Sequence, residues 1–317
     1  MNQCQNITLK GFNIVAFSTS TSLTIGLFTG ALVMYLIAVT GNLIITTVIC
    51  KVSRLHSPMY WLLCNLSLVE ALYISNILPK LLSIMLKEDK TISFQGCITQ
   101  LFFFIMTGDA EVFLLTCMAY DRYVAICYPL HYSLVMRKQV CVGMVFCSLF
   151  VSFVNSLMFT LLTYTVRFCY THRINHFFCE IRSLLAISSS NTASREVILF
   201  VEDFLLVSLT FLLILTSYGH IISTVLKVHS LKGRLKTFSS CSSHLTAVML
   251  FYGPIIFLYI KPKSEDSEDQ DKLLSLLYVA VVPTLNPFVY TLRNKEVIEA
   301  VRQVFRIKCS GSFRFRF

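Results

Sequence analysis

Five carboxylates lie inside apolar stretches of this sequence, where they could bind a cation, share a proton or form hydrogen bonds. They are Glu70, Asp109, Glu111, Glu202 and Asp203. The seven histidines show no metal-ligand spacing within a stretch, and we find no nucleophile paired with a base. The sequence therefore predicts that the protein is not an enzyme, and we assign it no cofactor.

A second chemical feature is the sequence Asp121-Arg122-Tyr123, which ends the third apolar stretch. An arginine at a membrane boundary is costly unless it has a partner, and the adjacent Asp121 can hold Arg122 in a resting state. A snorkelling arginine at a helix end is the alternative, which these three residues do not exclude.

The apolar stretches that carry these residues predict membrane helices. Of the 317 residues, 55% are hydrophobic and 14% are charged, which is too little polar surface for a water-facing exterior. A bilayer core about 30 Å thick needs roughly 20 helical residues. Seven segments meet this length: 23–50, 58–82, 97–126, 140–166, 197–226, 237–260 and 273–292. We predict an all-α membrane protein, a seven-transmembrane helix bundle over residues 23–292.

A short amphipathic helix is predicted after the last span, over residues 294–308. It places Val297, Val301, Val304, Phe305 and Lys308 on one face, which is typical of a helix lying on the membrane surface. Residues 293–317 thus form this helix and a tail.

Charge asymmetry predicts the orientation. The linkers after spans one, three and five, with the tail, hold sixteen basic residues against three acidic ones, whereas the other side holds eleven against nine. Because positive charge marks the cytoplasmic face, residues 1–22 are predicted outside and the tail inside. The net charge of +10 then reflects topology, and we expect no nucleic-acid partner. We find no cleavable signal peptide, so the first span serves as targeting signal and anchor.

Longer motifs carry a family resemblance. They are MAYDRYVAICYPLHY (118–132), LHSPMYWLLCNLSLVE (55–70), KTISFQGC (90–97), SYGHIISTVL (217–226), KTFSSCSSHL (236–245) and PTLNPFVYTLRN (283–294). With them the chain resembles an olfactory receptor of the rhodopsin-like G-protein-coupled family over nearly its whole length. The resemblance implies a plasma-membrane odorant receptor that activates a stimulatory olfactory G protein and raises cyclic AMP.

The resemblance also implies a ligand pocket and a switch. The pocket candidates are Phe104, Ile105, Gly108, Asp109, Val112, Glu202, Asp203, Leu206, Tyr252, Ile255 and Tyr259. The activation residues are Asp121, Arg122, Tyr123, Tyr218, Asn286, Pro287 and Tyr290. On activation Arg122 leaves Asp121 and meets Tyr218 and Tyr290, while Pro287 weakens the helix where the seventh span bends.

Asn42, Glu70, Glu111 and Asn286 are expected to form a polar core near mid-membrane. Related receptors can hold sodium there, but Glu70 stands where the family usually has aspartate. Three interpretations stay open: a sodium ion at Glu70 and Glu111, a proton shared by the two carboxylates, or a structural hydrogen-bonded cluster.

The family pattern also implies covalent features on the outer side. Cys97 and Cys179 match the bridge from span three to the long outer loop. Ser189 replaces one end of a second loop bridge, which leaves Cys169 free or paired with Cys4. Asn6 begins a glycosylation sequon, Asn-Ile-Thr.

The pocket acids leave two interpretations open. Asp109 lies 13 residues outward of Arg122, and Glu202 and Asp203 lie at similar depth when counted from Tyr218. A basic amine could neutralise them, and aromatic rings would add cation–π attraction. Alternatively, Asp109 is protonated or hydrogen-bonded and the other two acids face water.

Rival membrane classes fit less well. A transporter calls for inverted repeats or broken helices in matching halves, and we find neither. A retinal-type photoreceptor needs a lysine inside the seventh span, and 273–292 contains none.

Overall fold

The computed structural model describes residues 11–17, 21–87, 90–168, 172–189, 192–228, 230–260, 268–292 and 295–310. Seven long helices dominate it: α1 (Thr21–Lys51), α2 (Pro58–Lys87), α3 (Phe94–Cys127), α5 (Lys138–Tyr164), α7 (Ala193–Leu226), α8 (Leu231–Ile260) and α9 (Glu268–Leu292). Six contain an apolar segment long enough to cross a membrane, and α8 has a shorter apolar segment at Cys241–Phe257. The predicted seven-helix membrane bundle is confirmed.

Several helices begin earlier than hydropathy predicts, and the difference is largest for α8 and α9. The sixth span was expected from residue 237, but α8 begins at Leu231, and α9 begins at Glu268 rather than near residue 273. The added turns contain Lys232 and Arg234 in α8 and three acidic residues in α9. Hydropathy marks where a helix crosses lipid, whereas polar residues can continue the same helix into water.

Short elements connect the long helices: η1 (Ser53–Leu55), α4 (Tyr132–Val135) and α6 (Ile181–Ala186). The last helix, α10 (Lys295–Ser310), is amphipathic as predicted. Val297 is fully buried in the main core, and Val301 and Val304 pack against it. The side chains of Phe305 and Lys308 lie outside the described residues. Tyr60 of α2 donates a hydrogen bond of 2.8 Å to Glu296, which fixes the start of α10 to the bundle.

The third span lies at the centre of the bundle. α3 packs against α2, α5, α7 and α8, and its buried side chains include Leu114, Leu115 and Met118. Its N-terminus is capped by Ser93, whose hydroxyl oxygen accepts a hydrogen bond of 3.1 Å from the Gly96 N–H. The buried residues of α3 extend from Cys97 to Val124, so this helix contributes to the core along most of its length.

A small three-stranded sheet covers the outer end, which the sequence did not predict. β1 (Gly11–Ile14) pairs antiparallel with β2 (Thr91–Ser93) and parallel with β3 (Arg173–Ile174). Phe12 and Ile14 of β1 are buried. A Cβ atom at Gly11 would lie 2.3 Å from the carbonyl oxygen of Ile92, so only glycine fits there.

Candidate functional site

The long loop between α5 and α7 covers one end of the bundle, and its described residues around Cys179 are called the roof below. A disulfide joins Cys97 of α3 to Cys179 of this loop, with their Cα atoms 5.5 Å apart. The Cys179 N–H also donates a hydrogen bond of 2.9 Å to Gln100. The neighbouring Phe178 ring lies 4.8 Å from the Phe104 ring of α3. The bridge that the resemblance implied thus holds an aromatic roof above α3.

His176 completes the roof. Its ring stacks on Phe177 with the centroids 4.6 Å apart and meets Phe178 edge-on at 4.7 Å. Burial lowers the pKa of His176 below its usual range, and the nearby Lys272 lowers it further against the opposing effect of Glu180. The ring is therefore neutral at physiological pH and acts as part of the apolar packing.

The pocket candidates line α3, α7 and α8 below this roof. Phe104 stacks on Tyr73 with the rings 5.7 Å apart. A Cβ atom at Gly108 meets no atom of the described residues within 4 Å, so space is open beside it. Deeper in the bundle, Val112 and Tyr252 are buried, and Tyr252 donates a hydrogen bond of 2.9 Å to Thr210. Apart from the Tyr252 hydroxyl, these pocket candidates present apolar and aromatic groups.

The remaining apolar candidates flank this space. Leu206 and Ile255 pack against the main core, and Ile105 packs against the cluster around the disulfide. The side chain of Tyr259 lies outside the described residues.

The pocket acids have partners that the sequence did not reveal. Asn155 of α5 donates hydrogen bonds of 2.9 Å to both Asp109 and Glu202. Asp203 forms an ion pair with Arg182 of α6, with a nitrogen–oxygen distance of 3.4 Å. The sequence contained one indication of these hydrogen bonds, the lone asparagine in the fourth apolar span. Its partners depend on how the helices are rotated, which hydropathy does not give.

The four polar-core residues are buried together. Asn286 donates a hydrogen bond to Glu70, and Asn42 donates one of 3.2 Å to the Pro283 carbonyl. The carboxyl groups of Glu70 and Glu111 are close enough to interact electrostatically. One Glu111 oxygen is buried without a hydrogen-bond partner among the described residues. Within those residues, no group of three or more histidine, cysteine or acidic side chains could hold a metal ion.

The inner end of α3 holds a closed ion pair. Arg122 donates hydrogen bonds from Nε (3.0 Å) and Nη2 to the same oxygen of Asp121, which is completely buried. The other Asp121 oxygen accepts a bond of 2.7 Å from Tyr132 of α4. Tyr123 lies beside this pair, with its ring 5.7 Å from that of Tyr128. Asp121 therefore holds Arg122 and is itself oriented by the following loop.

The Tyr218 hydroxyl is hydrogen-bonded to a histidine to which the sequence assigned no role. Its hydroxyl lies 2.7 Å from His244 Nδ1, and His244 Nε2 lies 3.0 Å from the Leu115 carbonyl oxygen. Because a carbonyl can only accept, Nε2 carries the proton and Tyr218 donates to Nδ1. This buried chain joins α7, α8 and α3.

The remaining switch residues lie on the inner half of α9. The Tyr290 ring is buried, and its hydroxyl has no hydrogen-bond partner among the described residues. Pro287 packs closely on α1, since a Cβ atom at Gly41 would lie 2.9 Å from the Pro287 Cβ.

Comparison with known proteins decides the family. A family model described as olfactory receptor matches residues 31–308. Olfactory receptor 5AR1 of Mus musculus is 44% identical over 304 residues, which are 96% of this chain and 98% of that protein. Olfactory receptor 1G1 of Gorilla gorilla gorilla is 41% identical over 305 residues, covering 96% and 97%. Olfactory receptor 13G1 of Homo sapiens is 44% identical over 276 residues, covering 86% and 89%.

This chain belongs to the olfactory receptor family. As a member it is a G-protein-coupled odorant receptor and a multi-pass plasma-membrane protein, and it is not an enzyme. The predictions of family, fold class and receptor function are thereby confirmed.

Some expected features of this olfactory receptor lie outside the described residues. They are the sequon at Asn6 and the cysteines Cys4 and Cys169. Ser189, at the missing end of the second loop bridge, donates its backbone N–H to the Arg167 carbonyl at 2.9 Å.

Proposed function

We propose that this olfactory receptor binds a small volatile odorant between the outer halves of α3, α7 and α8 and activates the stimulatory olfactory G protein, which raises cyclic AMP. The observation that carries the proposal is the Asp121–Arg122 pair at the inner end of α3, in which the Asp121 carboxylate is fully buried. A buried charge pair is costly to form, and releasing it exposes a cation to a partner. Such a pair suits a switch that opens towards a G protein.

The outer half of the bundle supports the ligand class. A Cβ atom at Gly108 would meet open space, and the pocket candidates include the Phe104 ring, which stacks on Tyr73, and the buried Tyr252. Aromatic and apolar walls with few polar groups suit a small, uncharged and volatile molecule. The disulfide-held roof would limit how large that molecule can be.

Coupling between the two ends follows from the shared helices. A ligand between α3, α7 and α8 changes the spacing of the same helices that the Tyr218–His244–Leu115 chain joins lower down. An odorant that favours a wider spacing shifts the equilibrium towards a state in which this chain is broken. Tyr218 and Tyr290 are then free to accept Arg122 as a partner.

The polar core is proposed to bias this equilibrium. Glu70 on α2, Glu111 on α3 and Asn286 on α9 connect three helices through buried polar groups. A proton shared by the two glutamates is the state that we favour, because the longer Glu70 side chain suits sodium poorly and two nearby carboxylates rarely both ionise.

A basic amine is the second candidate for the ligand. Three carboxylates approach the outer pocket, and Asn155 holds two of them, Asp109 and Glu202, within reach of one group. The hydrogen bonds from Asn155 and the Asp203–Arg182 pair also satisfy these acids without any ligand. Neutral odorants therefore remain the first candidate, and a panel of amines distinguishes the two.

The orientation belongs to the same proposal. Residues 1–22 lie outside with Asn6 glycosylated, residues 23–292 form the transmembrane domain, and residues 293–317 lie in the cytoplasm. The excess of basic residues at the Arg122 end supports this assignment.

The test is an odorant panel against a cyclic-AMP reporter in cells that express the receptor. Arg122→Ala should abolish the response while surface staining persists. Arg302→Ala removes an exposed cation from α10, at the same end, and should leave the response intact. An odorant-evoked ion flux without cyclic AMP would instead support a channel or transporter.

A further inference from the structure

A cleft of about 460 Å³ opens on the side of the bundle, near the helix ends opposite those that hold the proposed odorant pocket. It lies between the end of α1, the start of α2 and the start of α5. The lining residues that matter here are His56, Ser57, Trp61, Met136, Lys138 and Cys141. None of them belongs to the pocket, the polar core or the Arg122 switch described above.

The position of the cleft matches the headgroup level of a bilayer. α1 ends at Lys51, α2 begins at Pro58 and α5 begins at Lys138, so the mouth lies where three spans leave the apolar region. Trp61 lies about one turn inside this boundary and is 43% exposed. An indole at this depth is typical of the interface between lipid chains and headgroups.

The chemistry of the cleft changes with depth. Lys138 and His56 are exposed at the mouth beside the Ser57 hydroxyl, whereas Ile49, Trp61 and Cys64 line the part nearer the membrane. The first turns of α2 and α5 add backbone N–H groups at the positive ends of the helix dipoles. Among the described residues that line the cleft, none is acidic. The mouth therefore favours an anion, and the interior favours a hydrocarbon chain.

We propose that this cleft binds an anionic phospholipid of the cytoplasmic leaflet. Its phosphate lies at Lys138, His56 and Ser57, and one acyl chain lies along Trp61. The cytoplasmic leaflet is the one that carries anionic lipids, so the assignment rests on the orientation proposed above. A sterol would fill the apolar part but would leave the cationic mouth without a partner.

The same cleft contacts the loop that orients Asp121. Met136 and Cys141, which line it, are buried together with Val124 of α3. Tyr132, the donor to Asp121, packs against this cluster. A lipid that fills the cleft therefore stabilises packing that continues to the resting ion pair, and it should raise the melting temperature of the receptor.

The test uses full-length purified receptor in phosphatidylcholine nanodiscs titrated with phosphatidylserine, with bound lipid counted by native mass spectrometry. Wild type should retain one phosphatidylserine and melt at a higher temperature. Lys138→Gln should weaken binding about five-fold, the effect of one basic residue near a membrane surface. Lys227→Gln removes an exposed lysine at the end of α7 and should change nothing.

Two further measurements separate the contribution of the acyl chain to binding from that of the headgroup. Trp61→Leu should also weaken binding, and glycerophosphoserine, which has the headgroup without acyl chains, should not compete. Equal binding by wild type and Lys138→Gln, equal retention of phosphatidylcholine, or displacement by cholesterol would overturn the proposal. Because neither odorant nor G protein enters the assay, its failure leaves the proposed function standing.

Discussion

The buried Tyr218–His244–Leu115 chain makes a specific prediction about basal activity. Replacing His244 by phenylalanine keeps an aromatic ring in the buried site but removes both hydrogen bonds. Tyr218 then has no acceptor in the resting state, whereas in the proposed active state it meets Arg122 and does not need His244. The substitution therefore destabilises only the resting state.

The size of the effect follows from the burial of the Tyr218 hydroxyl. A buried polar group left without its hydrogen bond costs about 1–3 kcal/mol. This corresponds to a shift of roughly 5- to 150-fold in the equilibrium between the two states. If the active state is populated at about 1% in wild type, it rises to between about 5% and 60%. Loss of the hydrogen bond from His244 to the Leu115 carbonyl adds little to this free-energy cost, because that carbonyl still accepts a hydrogen bond within α3.

The assay is basal cyclic AMP in transfected cells without odorant, normalised to surface receptor by antibody staining. His244→Phe should raise the basal signal several-fold, and the double variant with Arg122→Ala should be silent. His220→Phe is the matched control, because His220 is exposed on α7 and its ring only packs beside Tyr123 at 5.6 Å. Basal signal equal to wild type in His244→Phe, at equal surface level, would refute this account of the resting state.

Three further predictions concern the outer pocket and the polar core. Cys97→Ser should leave Cys179 as a free thiol, release the roof and lower surface delivery or odorant potency, whereas normal potency would mean that the bridge is dispensable. Glu70→Gln and Glu111→Gln should each shift basal cyclic AMP, and unchanged basal and stimulated signals in both would reduce the cluster to a structural role. Asp109→Asn should abolish responses to amines while sparing matched alcohols, and responses to alcohols alone, unchanged by the substitution, would end the amine hypothesis.

The spans could be predicted because hydropathy measures the cost of placing residues in lipid. The same measure misses the sheet of β1, β2 and β3. Its strands have only four, three and two residues, and Asn13 pairs with Thr91 and Arg173, which are far away in sequence. No local pattern encodes such pairing, because its stability comes from the buried Phe12 and Ile14.

Part of the candidate site could be predicted from the sequence, for a related reason. Depth along a helix follows from residue spacing, and so Asp109 and Glu202 could be expected at similar levels. Rotation about the helix axis does not follow, and it decides that Asn155 bridges these two acids. The sequence shows His244 only as a histidine in an apolar span. Its two hydrogen bonds could not be predicted, because they depend on α7 and α3 lying on either side of it.

The most direct test of the central claim compares odorant responses in cells with and without the stimulatory G proteins. At equal surface level, an odorant that raises cyclic AMP through this receptor should lose its effect in cells that lack those G proteins, and re-expression should restore it. Arg122→Ala should be silent in both backgrounds. An odorant-evoked response of equal size without the G proteins, or undiminished in Arg122→Ala, would contradict the account.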